Sequence, residues 1–192
     1  MAVKRLIVAI TGASGAIYGV RALQHLRARG GIEVHLVISP SAARTLCEET
    51  EFTLDAVRGM ADVVHNHKDI GASIASGSFR TDGMMVAPCS VKTLSAIANC
   101  YAEDLVVRAA DVCLKERRRL LLLFRETPLH AGHIALMDQA TRSGAIIMPP
   151  IPSFYNRPVT VNDVVDQTVG RMLDLFDVEN DLVTRWTGTN QK

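Results

Sequence analysis

The sequence predicts an α/β fold: a mainly parallel sheet with helices on both faces. Two patterns carry this. Short apolar runs alternate with segments of helical periodicity along the whole chain, as they do where strands are buried on both sides. Two of those runs end in small or hydroxyl residues that open a helix, Thr11-Gly12-Ala13-Ser14-Gly15-Ala16 and Pro88-Cys89-Ser90-Val91-Lys92-Thr93. That is the strand-to-helix turn of a parallel unit.

Taken in order, Leu6 to Ile10 is an apolar strand ended by Thr11-Gly12. Ala16 to Arg29 has helical spacing, stopped by Gly30-Gly31. Ile32 to Ile38 is a second strand, with Val34, Leu36 and Ile38 on one face, and Ser41 to Glu49 a second helix. Phe52 to Arg80 is less regular, with short helical pieces and a Ser/Gly-rich loop from Ala72 to Ser78. Met84 to Ala87 is a strand, Ser90 to Asn99 a helix, Asp104 to Arg118 another helix, and Leu120 to Phe124 a fully apolar strand. Ile134 to Arg142 is helical, Ala145 to Met148 a strand, and Pro149 to Pro158 a proline-stiffened loop. The last helix opens with Thr160 three residues before Asp163, the spacing of a capping box. Its stripe is Val161, Val164, Val165, Thr168, Val169, Met172 and Phe176, flanked by Arg171.

Composition narrows the function classes. A chain of 192 residues, 48% of them hydrophobic, can bury a sizeable core. One domain over residues 1–192 is expected, with a tail from about residue 180 at its periphery. The net charge of +1 argues against nucleic acid as a partner. The densest basic run, Lys115-Glu116-Arg117-Arg118-Arg119, suits a solvated helix end. The four cysteines, Cys47, Cys89, Cys100 and Cys113, form no C-x-x-C pair and read as buried free thiols. No apolar run reaches the roughly 20 residues that span a bilayer. The N-terminus lacks the features of a signal peptide, so a cytoplasmic location is expected.

In a parallel sheet, ligands bind beyond the carboxyl ends of the strands, so chemistry is sought in the turns there. The Gly12-Ala13-Ser14 turn offers close backbone approach, outward N–H groups and a helix N-terminus; it suits a phosphate, or serves as a plain tight turn. It is not G-x-G-x-x-G, so the ordinary dinucleotide fingerprint is absent. Ser90 and Thr93 give a second hydroxyl-rich helix start, which is also how a simple Ser cap reads. Two such ends at one sheet edge favour a phosphorylated ligand. Arg125-Glu126 follows a buried strand, either at a site or as a surface ion pair. Tyr155 sits in the proline loop, as a ligand contact or as an anchor. Nothing activates Cys89 as a nucleophile. His65-x-His67 and His130-x-x-His133 each offer two ligands where a metal site needs three or four, so no metal is expected.

These segments together resemble a known family. Thr11-Gly12-Ala13-Ser14-Gly15-Ala16-x-Tyr18-Gly19, Ala72 to Ser78, Pro88-Cys89-Ser90-x-x-Thr93-Leu94-Ser95, the run from Arg108 to Arg118, Arg125-Glu126-Thr127-Pro128 and Phe154-Tyr155-x-x-Pro158 are similar, in order, to the UbiX flavin prenyltransferases of bacterial ubiquinone biosynthesis. The resemblance implies a three-layer α/β/α Rossmann- or flavodoxin-like sandwich. It implies a homo-oligomer, typically a dodecamer, with sites between subunits. It implies a metal-independent transfer of a dimethylallyl group from dimethylallyl phosphate to reduced FMN, whose product serves a UbiD-type decarboxylase. By motif match, Gly12, Ala13, Ser14, Ser39, Ser90, Val91, Lys92, Thr93 and Arg125 would contact FMN. Lys115, Tyr155 and Arg171 would hold the dimethylallyl phosphate. Glu49 would handle a proton, with Glu48 and Glu51 as neighbouring candidates, and Glu126 would be a second acid near the phosphate. Asn156 stands where the family often has His, Arg119 where it often has Pro, and Pro40 where it often has Lys. The alternatives are a flavin-dependent decarboxylase of the same fold, whose Pro-x-Met-Asn-x-x-Met-Trp segment is missing here, and a non-catalytic FMN carrier.

Overall fold

The computed structural model describes residues 3–188. Its strands are β1 (Lys4–Ile10), β2 (Ile32–Ile38), β3 (Val63–His65), β4 (Gly83–Cys89), β5 (Arg119–Phe124) and β6 (Ile146–Ile147). Its helices are α1 (Ala16–Arg29), α2 (Pro40–Glu49), α3 (Leu54–Arg58), α4 (Val91–Ala98), α5 (Leu105–Lys115), α6 (Ala131–Arg142) and α7 (Val161–Asp174). The six strands form one sheet in the order β3-β2-β1-β4-β5-β6, with every pairing parallel. This is the expected flavodoxin-like α/β architecture.

Strand alternation builds two cores. Side chains two apart point to the same face. Leu6, Val8 and Ile10 of β1, with Met85, Ala87, Leu121 and Leu123, pack under α1, α2 and α7. Ile7 and Ala9, with Met84, Val86, Leu120, Leu122 and Phe124, pack under α4 and α5. Three layers result.

The caps set where helices begin. Ser39, Ser90 and Asp104 each accept an N–H from the first turn of α2, α4 and α5. Thr160 and Asp163 form the full capping box. Thr160→Ala removes one half of it and is expected to lower the thermal unfolding midpoint by about 2–4 °C.

Several elements differ from the sequence pattern. β3, three residues at an exposed edge, has no sequence signal of its own and exists through its pairing with His35 to Val37 of β2. The strand expected over Ala145 to Met148 contracts to Ile146–Ile147, and α6 begins at Ala131 because His130 caps it. α5 stops at Lys115. Beyond it the basic run is only partly solvated. Arg118 donates to the carbonyls of Gly77 (2.6 Å) and Phe79 (2.9 Å), and Arg119 to that of Leu175 (2.6 Å). Val161 is 80% exposed and leaves the stripe of α7, whereas Gln167, a polar residue, is buried on it. Cys47 and Cys100 are exposed, contrary to expectation; Cys89 and Cys113 are buried. Residues 180–186 lie along α7: the Asn180 amide donates to Gly170 O (3.2 Å), and Arg185 holds both oxygens of Asp174. The expected tail's last four residues fall outside the described ones. No helix among the described residues is long and apolar enough to cross a membrane.

Candidate functional site

The strand order reverses between β1 and β4, so their carboxyl ends diverge into a crevice, the place such sheets bind ligands. Here the crevice is a cavity of about 720 Å³, inside the size range of small-molecule sites. Its floor is stitched by hydrogen bonds of the backbone and of the Thr11 hydroxyl. Thr11 Oγ1 donates to Pro88 O (2.8 Å) and accepts from the N–H of Ser90 (2.9 Å). Ser39 N–H donates to Ile10 O (3.0 Å) and Arg125 N–H to Cys89 O (3.1 Å). The ends of β1, β2, β4 and β5 are thereby held in one row.

The nine positions Gly12, Ala13, Ser14, Ser39, Ser90, Val91, Lys92, Thr93 and Arg125 all line this cavity, with Glu126 beside them. Gly12 is required by proximity: a Cβ there would stand 2.4 Å from Ser41 Cβ at the start of α2. Gly15 is required by conformation, at φ +97°. The hydroxyls of Ser90 and Thr93 are 3.0 Å apart at the head of α4. Lys92 Nζ lies 3.5 Å from Glu103 Oε2. The half-buried Arg125 guanidinium makes no hydrogen bond or ion pair among the described residues. Helix N-termini, hydroxyls and cations converging on one concavity make an anion site.

Glu49 lies just outside the lining. Gly15 caps α1 with no side chain of its own, and Glu49, at the end of α2, fills that role. Its Oε2 accepts from Gly15 N–H (2.7 Å) and Ala16 N–H (3.4 Å), next to Ser14. Its neighbour Glu48 is turned away onto Arg44 (2.9 Å).

Lys115, Tyr155 and Arg171 are not brought to the cavity by a single chain. Lys115 ends α5 at the amino edge of the sheet, paired with Glu116. The six-residue strand β5 separates it from the carboxyl edge by roughly 20 Å. Arg171 sits in the last turn of α7, paired with Asp174 (2.7 Å). That helix ends where Phe176 meets Gly83, at the amino end of β4. Tyr155 is in the proline loop, its hydroxyl accepting from Gln167 Nε2 (2.9 Å) and its ring edge-on to Trp186.

Sequence reasoning missed His67, Lys68, Glu103 and Asp104, which also line the cavity. They come from irregular connections, where no periodicity marks a facing direction. The two buried thiols behave as read: burial pushes Cys89 far up, out of the range in which a thiolate forms, and Cys113 up to about 12. The histidines pack. His65 Nε2 is 2.8 Å from Nδ1 of the buried His35, and burial pushes the His65 imidazole below its usual value. The His130 and His133 rings lie tilted at 33° with centres 3.8 Å apart. Among the described residues no group of three His, Cys, Asp or Glu is placed to hold a metal ion.

Comparison with known proteins adds the chemistry. The model of the Flavoprotein family matches residues 1–186. The flavin prenyltransferase UbiX of Escherichia coli K12 is 58% identical over 187 residues, covering 96% of this chain and 99% of that protein. The crystal structure of AnUbiX in complex with FMN and dimethylallyl pyrophosphate superposes with a TM-score of 0.95 at 50% identity, over 97% of this chain and 99% of that one. A dodecameric FMN-dependent UbiX-like decarboxylase from E. coli O157:H7 superposes with a TM-score of 0.94 at 49% identity, over 96% of this chain and 100% of that one.

Proposed function

From its place in the flavoprotein family, to which this chain belongs as a UbiX-type flavin prenyltransferase, we propose how its residues divide the work. The enzyme transfers a dimethylallyl group from dimethylallyl phosphate to reduced FMN, and the prenylated flavin goes to a UbiD-type decarboxylase. The observation that carries this is the cavity at the β1/β4 switch point. All nine residues matched to flavin contacts meet there, among them Arg125, whose guanidinium has no partner among the described residues, beside the starts of α1, α2 and α4.

The residues fit a phosphorylated flavin. Ser90, Thr93 and Lys92 at the head of α4, and Ser39 at the head of α2, supply hydroxyl, amide and ammonium donors for its phosphate and polar chain. Gly12, Ala13 and Val91 supply a close, partly apolar wall for the ring system. When bound, the reduced flavin supplies N5 and C6, the two positions that receive the C5 unit. The chain's residues do the rest. Lys115, Tyr155 and Arg171 hold the donor phosphate and stabilise the charge that gathers on it as the allylic C–O bond breaks. Glu49 and Glu126 take or return the protons that leave N5 and C6, as carboxylates within reach of a reacting centre do. No step calls for a metal.

The separation of Lys115 and Arg171 from the cavity within one chain supports a site completed between copies, in a homo-oligomer of the dodecamer type. The whole chain, with its tail from about residue 180, is read as one flavin-binding unit acting in the cytoplasm.

The test is direct. Purified protein is incubated anaerobically with FMN, a reductant and dimethylallyl phosphate, and the released flavin is weighed by mass spectrometry. A product heavier than FMN by one C5H8 unit is expected. Tight FMN binding with unmodified flavin, beside an active control enzyme, would favour the carrier.

A further inference from the structure

Lys92 holds the second position of α4, whose first turn contains no acidic residue. A cation there stands at the positive end of the helix dipole and is stabilised only by an anion. The anion beside it is Glu103, which also lines the cavity and whose Oε2 lies 3.5 Å from Lys92 Nζ. Glu103 has no capping duty. The next residue, Asp104, caps α5 by accepting from Val107 N–H at 3.0 Å. Nor does any other described cation pair with Glu103. Its carboxylate therefore already engages the ammonium that a phosphate at this helix end would also draw on.

A site that makes a phosphorylated product for use elsewhere must also let it go. Two hydroxyls, a helix N-terminus, Lys92 and Arg125 together favour retention. We propose that Glu103 is a built-in competitor for Lys92, which weakens the hold on the flavin phosphate and so sets how fast the phosphorylated flavin leaves. This rests on the flavin-binding reading above. The competition is electrostatic: in the single chain the Lys92 and Glu103 side chains are 76% and 52% accessible. Its effect is therefore modest and salt-dependent.

The experiment measures FMN and riboflavin affinity, by flavin fluorescence, for the unsubstituted chain, Glu103→Gln, Lys92→Gln and the double variant, at low and high salt. Riboflavin lacks the phosphate and is the internal control. Glu103→Gln is expected to tighten FMN about two- to five-fold at low salt, with a matching fall in the FMN dissociation rate. The gain should vanish in the Lys92→Gln background, shrink at high salt, and be smaller for riboflavin. The proposal is overturned if Glu103→Gln leaves FMN affinity unchanged or weakens it. It is equally overturned if the gain persists without Lys92 or is as large for riboflavin. Failure of the unsubstituted chain to bind FMN is a separate result, and it removes the functional reading itself.

Discussion

Mixed oligomers of Lys115→Ala and Arg125→Ala chains are expected to regain prenyl transfer that neither variant shows alone. On the proposed division of roles each substitution removes a cation from the same reaction, and each alone should lower turnover about 10²–10³-fold, the scale seen when one charge-stabilising donor is lost. The two residues lie at opposite edges of the sheet in one chain. If the lysine of one copy completes the cavity of another, random assembly of equal amounts restores about a quarter of the sites, those pairing an intact lysine with an intact arginine. Co-expressing the two variants with different tags, purifying through both, and measuring prenylated flavin gives the answer. If both residues serve a site within the same chain, every site in the mixture lacks one of them and no activity returns. That result would sink the between-subunit arrangement.

The second large effect belongs to the fold beneath the cavity. Gly19→Ala is expected to destabilise the protein, although alanine is the better helix former by about 1 kcal/mol. α1 presses directly on the sheet at this point. A Cβ on Gly19 would stand 2.4 Å from the carbonyl oxygen of Ala87 in β4 and 2.8 Å from Ile10 Cγ1 in β1. The first of these is backbone and cannot rotate away. Overpacking of this kind costs about 1–3 kcal/mol and often more where backbone must move, so the clash wins over the propensity gain. The unfolding midpoint should fall by several degrees. FMN affinity should fall with it, because the start of α1 carries one wall of the cavity. Thermal unfolding followed by circular dichroism checks the first and flavin binding the second. An alanine variant as stable as the parent would show that α1 has room this geometry denies it.

Much of the molecule was legible from local pattern. α1 spans the very residues its spacing predicts, because an apolar stripe, a glycine start and a double-glycine stop all lie in its own sequence. The caps of α4 and α7 could be read for the same reason: donor and acceptor are at most three residues apart. The small-residue turns pointed to the sheet edge that carries the cavity, and the resemblance to a known family named the nine positions that gather there. The carbonyl bonds of Arg118, by contrast, could not be read. Nor could Gln167, whose burial makes sense only once Tyr155 and the backbone of Thr184 are seen bonded to it.

The chain's own sequence thus determined most of its helices and central strands, several of their caps and the residue types offered at each turn, since these depend on neighbours within a few positions. The tertiary structure alone decided that Glu49 serves as the anion for a helix 34 residues away in sequence. It alone decided that Glu103 faces Lys92 and that Gly19 admits no side chain. Those outcomes depend on sheet order, which places residues distant along the chain within a few ångströms, and no local periodicity records such distances.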